Sequence, residues 1–175
     1  MIRSLAADGP HPSLGEQAQA FDRFVGTWSG DFTHFAPDGA MIERYAGRVV
    51  FGWVLGGRAM QDVWIGEPSD GQTEASLGTS IRFFDAGAGI WRVIWILPEA
   101  GVVTMVQGGI VGKRIVLEGT NLDGSLRRWS FNDIAADSFV WRGERSEDGG
   151  STWRRTAEYR MSRVADHDRA PDFSP

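Results

Sequence analysis

The chain has 175 residues, no cysteine, 23 acidic against 18 basic side chains, and a formal net charge of -5. That length suits one domain built on a single sizeable core. The missing cysteines exclude a disulfide framework, a thiolate metal site and a cysteine nucleophile, and an acidic balance with scattered arginines excludes a nucleic-acid-binding stripe.

Residues 1–12 are polar and interrupted by Pro10 and Pro12, which predicts a loose arm. Neither Met1–Pro10 nor any later stretch holds an apolar run of signal-peptide or membrane-span length, so a soluble, cytoplasmic protein with no membrane partner is expected. Ser13 followed by Glu16 fits a capping box. Leu14, Ala18, Phe21 and Val25 recur at helical spacing, predicting a short amphipathic helix across one end of the molecule.

From Thr27 the pattern changes to short alternating segments rich in Val, Ile, Phe and Trp, parted by Gly, Asn, Asp and Pro clusters. Strands are predicted over 27–35, 40–53, 58–66, 77–85, 90–97, 102–108, 113–119, 126–132, 138–145 and 151–163. The intervening Pro37-Asp38-Gly39, Leu55-Gly56-Gly57, Asp85-Ala86-Gly87, Asp123-Gly124 and Asp148-Gly149-Gly150 are turn-forming. No helical crossover interrupts the series, which excludes a parallel α/β sheet. After Val164 the tail, 165–175, reads as disordered.

About ten strands on short turns would leave two adhesive edges unless the first and last strands pair. The expected fold is therefore all-β: a closed up-and-down antiparallel barrel over 13–164, with the short helix at its closed end. Gly26-Thr27-Trp28 would start the wall, the indole plugging the base. An even strand count brings Arg160 or Arg163 beside Trp28, and Arg160 is the expected base partner of that ring.

Gly26-Thr27-Trp28 after a short helix, with an arginine late in the last strand, resembles the calycin pattern of lipocalins, fatty-acid-binding proteins and nitrobindins. Val54-Leu55-Gly56-Gly57-Arg58-Ala59-Met60-Gln61-Asp62-Val63-Trp64 and Arg142–Trp153 are similar to stretches of an uncharacterised bacterial lipocalin-like domain family. The likeness runs from about Phe21 to Met161 and implies a fold rather than a function. Nitrobindins hold haem through a late histidine. The only late histidine here is His167, in the tail, so that ligand does not carry over and no cofactor is expected. His11, His34 and His167 would have to converge from both termini to hold a metal, so no metal site is expected either.

The longest and most polar connection, 67–76, falls at the end away from Trp28, which is expected to be the mouth with this loop as its lid or rim. Residues two apart share a face of a strand. Trp28, Gly30, Phe32 and His34 form one such set, as do Met60, Asp62 and Trp64; Trp91, Val93, Trp95 and Leu97; Arg127, Trp129 and Phe131; and Phe139 and Trp141. The eight tryptophans of the chain suit either a barrel core or an aromatic ligand cavity, because an indole is costly unless its ring packs and its N–H is partnered.

The expected ligand-binding residues are His34, Tyr45, Asp62, Trp64, Trp95, Met105, Trp129 and Trp141. His34 reads equally as an exposed strand residue or a satisfied wall residue, and less readily as a general acid or base near a cavity mouth. A buried Asp62 would need an arginine, and Arg44, Arg58 and Arg82 are at hand. The leading expectation is binding of a small hydrophobic or aromatic molecule in a tryptophan-rich cavity. The alternative is a cofactor-free isomerase, cyclase or lyase acting on a polyketide-like, terpenoid or aromatic substrate, with His34 and Asp62 catalytic. A third reading, a packed barrel used for self-association, leaves room for a homodimer.

Overall fold

The computed structural model describes residues 5–68 and 75–165, and over these the chain closes into one antiparallel barrel. Its strands are β1 (Gly26–Phe35), β2 (Met41–Val54), β3 (Ala59–Gly66), β4 (Ser76–Asp85), β5 (Ile90–Leu97), β6 (Val102–Val111), β7 (Arg114–Thr120), β8 (Leu126–Asn132), β9 (Ser138–Ser146) and β10 (Arg154–Arg163). Each pairs with its sequence neighbours, and β1 pairs with β10, so no edge is left open.

Closure follows from the register of that last ladder. Trp28 lies opposite Arg163, Phe32 opposite Tyr159 and His34 opposite Ala157. The strands approach so closely at Gly30 that a Cβ there would run into the backbone carbonyl of Arg160. Arg163, not the expected Arg160, caps the indole: its guanidinium carbon lies 4.1 Å from the centre of the Trp28 ring. From there it donates to the carbonyls of Val25 at 2.8 Å and Arg23 at 2.7 Å. Arg160 sits one step off in the alternation, on the outer face, where it donates to Glu158. The miss is one of parity, since residues 160 and 163 cannot share a face of a strand.

The segment leading into β1 also departs from expectation. It is a 3₁₀ segment (Pro12–Ala18) running into one turn of α-helix, α1 (Gln19–Asp22), with Gly15 in a non-helical conformation between them. The cap is the His11 ring, which accepts from the Ser13 N–H, rather than a Ser13/Glu16 box. Leu14, Ala18 and Phe21 are buried as their spacing requires, whereas Val25 is exposed. The described part of the arm is bound rather than loose: Ala7 N–H donates to the Trp53 carbonyl and His11 N–H to that of Gly57. Of the tail expected to be disordered, residues 166–175 lie outside the described residues, as do 69–74 of the expected lid.

Phe21 and Phe24 project from this segment into the barrel base, both fully buried. Phe21 meets the Trp91 ring edge-on at 4.8 Å, and Phe24 meets Phe131 at 4.9 Å and Phe139 at 5.0 Å. Trp28 closes the cluster against Phe139, its N–H donating to the Phe24 carbonyl at 2.7 Å. The lower half of the barrel is thus filled by its own rings, a packing in which each aromatic contact adds about 0.5–1.5 kcal/mol beyond area burial.

The seam has a direct consequence. Arg163→Ala removes three charge-assisted bonds to backbone carbonyls, those of Val25, Arg23 and Ala136, and is expected to lower stability by about 2 kcal/mol. Arg160→Ala loses only an ion pair made from an exposed arginine and should cost less than about 1 kcal/mol. Urea unfolding of the two variants measures the difference, and equal losses would contradict the assignment of the seam to Arg163.

Candidate functional site

Above the packed base the inward stripes enclose a cavity of about 230 Å³ that opens toward the end away from Trp28. Its wall is aromatic: Phe32 from β1, Tyr45 from β2, Trp64 from β3, Trp95 from β5, Trp129 from β8, Trp141 from β9 and Tyr159 from β10 line it. The rings touch in sequence around the bore. Tyr159 stacks on Phe32 at 4.2 Å and on Trp141 at 4.8 Å, Trp141 meets Trp64 and Trp129, and Trp129 meets Trp95 edge-on. Such a wall holds flat apolar rings by area burial and offset stacking.

Glycine makes room for one of these rings. A Cβ at Gly78 on β4 would run into the Trp95 indole, which lies across that position. The short residue lets the indole lie against the wall rather than across the bore.

The floor is polar. Asp62 on β3 and Arg82 on β4 are both buried, 0% and 2% exposed, and form an ion pair between adjacent inward positions. Asp62 Oδ1 also accepts the Ser80 N–H at 2.9 Å. Arg82 lines the cavity from above the base, its guanidinium carbon 4.7 Å from the centre of the Phe21 ring. Burial pushes the guanidinium down to about 9, so it keeps its charge at neutral pH. Its Nε and Nη1 have no acceptor among the described residues.

At the mouth a chain of three groups crosses three strands. His34 Nδ1 lies 2.9 Å from Glu43 Oε1, and His34 Nε2 lies 2.8 Å from the Tyr159 hydroxyl. A carboxylate accepts only, so the ring places Nδ1–H toward Glu43 and in its neutral form accepts the phenol proton at Nε2. Burial, with Tyr45 and Glu43 nearby, pushes the Tyr159 phenol up, so it holds that proton at neutral pH. Tyr45 lines the cavity beside His34, its phenol likewise pushed up by burial and then by Glu43.

Of the residues expected from sequence, His34, Tyr45, Trp64, Trp95, Trp129 and Trp141 line the cavity. Asp62 reaches the site only through Arg82. Met105 does not line it: it is 63% exposed on the outer face of β6, because Val106 occupies the inward phase of that strand. His34 and Asp62, expected to act together, stand apart, one at the mouth and the other in the floor. The partners the structure gives His34 are Glu43 and Tyr159. Tyr159 was reachable from sequence only through the seam, since an inward Arg160 turns Tyr159 outward. Arg82 carried the signal of a buried charge pairing with Asp62, but nothing placed it at a cavity. Among the described residues no three His, Cys, Asp or Glu side chains form a metal-binding group, and no helix is long and apolar enough to cross a membrane.

No family model and no curated protein matches the chain. Several solved structures are similar to the chain. The S-type phycobiliprotein lyase CPES from Guillardia theta superposes with a TM-score of 0.59 at 9% identity, over 84% of this chain and 92% of that one. The protein EF1p2_mFAP2b bound to DFHBI gives 0.45 at 15% identity, over 85% and 100% of the two chains. A de novo designed fluorescence-activating β-barrel gives 0.40 at 18% identity, over 83% and 97%. The likeness to the lyase is one of fold alone, in a chain that closes into an antiparallel barrel.

The Gly78 contact yields a test of how the cavity is kept open. Gly78→Ala should drive the Trp95 ring off the wall, costing about 1–3 kcal/mol of stability and shifting the tryptophan emission spectrum. An unchanged spectrum and unfolding midpoint would contradict the close approach.

Proposed function

We propose that the protein binds a small, largely apolar or aromatic molecule in the upper half of its barrel. The observation that carries this reading is the aromatic cavity itself. Eight aromatic side chains from seven strands face one space of about 230 Å³, while Phe21 and Phe24 already fill the base. Removing apolar surface from water contributes about 25 cal/mol per Å², enough for useful affinity from a ligand of a few rings. The polar groups at mouth and floor would orient such a ligand. On the strength of the Leu-Gly-Gly-Arg turn and the Asp-Gly-Gly hairpin, we propose kinship with uncharacterised bacterial lipocalin-like proteins.

Titration with a panel of apolar and aromatic compounds should give saturable quenching of the cavity tryptophans. Trp129→Ala is expected to weaken the best ligand about tenfold, the loss of one large apolar contact, with far-UV circular dichroism unchanged. Absence of saturation with every compound would remove the proposal.

A second reading, favoured by the Glu43–His34–Tyr159 chain, is a cofactor-free proton-transfer enzyme: an isomerase, cyclase or lyase working on the bound molecule. His34 would take a proton delivered through the Tyr159 hydroxyl while Glu43 stabilises the imidazolium. On this reading His34→Ala and Tyr159→Phe lower turnover by about 10²-fold or more while ligand affinity changes little. Variants that lose binding and turnover in proportion would assign the chain to ligand orientation instead.

A further inference from the structure

Arg82 has the most unusual surroundings of any charged group in the interior. Its side chain is 2% exposed and lines the cavity, yet Nε and Nη1 find no acceptor among the described residues. A buried N–H without a partner costs about 1–3 kcal/mol, more when the donor is charged. Nothing in the packed base offers an acceptor: the guanidinium carbon lies 4.7 Å from the Phe21 ring centre, 5.5 Å from that of Phe51 and 5.9 Å from that of Phe131. The ring faces attract the cation but supply no oxygen.

Asp62 determines what kind of acceptor suits these donors. It is in contact with the guanidinium, fully buried, and held in place by the Ser80 N–H. The floor therefore carries a cation and an anion in direct contact, with no net charge. A ligand carboxylate placed there would add a second buried anion beside Asp62, and the cost of desolvating it would go uncompensated. A neutral oxygen has no such cost and satisfies the free donors. Another cation on the inner face, Arg127, is committed elsewhere: it donates to Thr104 at 2.6 Å and lies over the Trp129 ring.

Resting on the reading of the cavity as a binding site, the geometry points to a ligand of a definite class: an uncharged aromatic molecule bearing a carbonyl oxygen at its inner end, which accepts from Arg82. The aromatic wall takes the rings, Arg82 takes the oxygen, and Asp62 excludes the corresponding carboxylic acid in its ionised form.

Three compounds of nearly equal shape test this on the intact protein at pH 7.5 by isothermal titration calorimetry: 2-acetylnaphthalene, 2-ethylnaphthalene and 2-naphthoate. The ketone is expected to bind about tenfold more tightly than the ethyl compound and at least about tenfold more tightly than the carboxylate. The carbonyl stretch of the ¹³C-labelled bound ketone should fall below its position in hexane, as hydrogen bonding requires. Asp62→Asn leaves the Arg82 charge uncompensated and should invert the preference, the naphthoate becoming the tighter ligand. Equal affinity for ketone and ethyl compound, or tighter binding of naphthoate by the unaltered protein, overturns the assignment to Arg82 while leaving the cavity a binding site. Failure of all three to bind overturns both. Because the unaltered protein decides the first comparison, the outcome does not depend on the Asn variant folding.

Discussion

The pairing of β1 with β10 is the interaction on which the interior depends. An antiparallel sheet of ten strands has two faces, and only closure turns one of them into an enclosed surface that can shed water on every side. Closure also ties all the strands to one register. Trp28 opposite Arg163 obliges Phe32 to lie opposite Tyr159, and from that alignment the aromatic wall follows. Gly30 permits the approach, since any larger residue would meet the Arg160 carbonyl.

Within the closed wall the interior divides into two layers with different jobs. The base is filled by rings delivered from outside the sheet, Phe21 and Phe24, with Trp28, Trp91, Phe131 and Phe139 packed about them. The upper layer receives no plug, and its own indoles and phenols stand back against the wall. The Asp62–Arg82 pair lies between the layers. A buried ion pair of this kind seldom improves stability over apolar residues of the same volume, because desolvation of both charges offsets their attraction. Its place at the boundary is better understood through what it presents upward than through what it adds to folding.

The two ends of the cavity offer complementary chemistry. The floor presents donors whose charge is balanced by Asp62. At the mouth the phenol proton of Tyr159 is directed to His34, which leaves the oxygen a lone pair with which to accept. Protonation of His34 would reverse that polarity, because Nε2–H would then donate to the Tyr159 oxygen and free the phenol proton. Orientation of a ligand and movement of a proton thus draw on the same three residues.

Much of the architecture was legible before any coordinates. Alternation over β3 and β5, turn chemistry at Asp85-Ala86-Gly87 and Asp123-Gly124, and the absence of a crossover helix are properties of neighbours along the chain, and they determined the strands, the meander and the need for closure. Which residues share a face with each tryptophan followed from period two, but which face turns inward did not. What lay beyond the sequence was parity across the seam and distance across the bore. Whether Arg160 or Arg163 met Trp28, and hence whether Tyr159 faced in, depended on a register accumulated around ten ladders. Met105 was lost to the same one-residue ambiguity. That His34 answers to Glu43 and Tyr159 rather than Asp62 depended on height in the barrel, which no local pattern encodes because it is the sum of every strand's offset from the next.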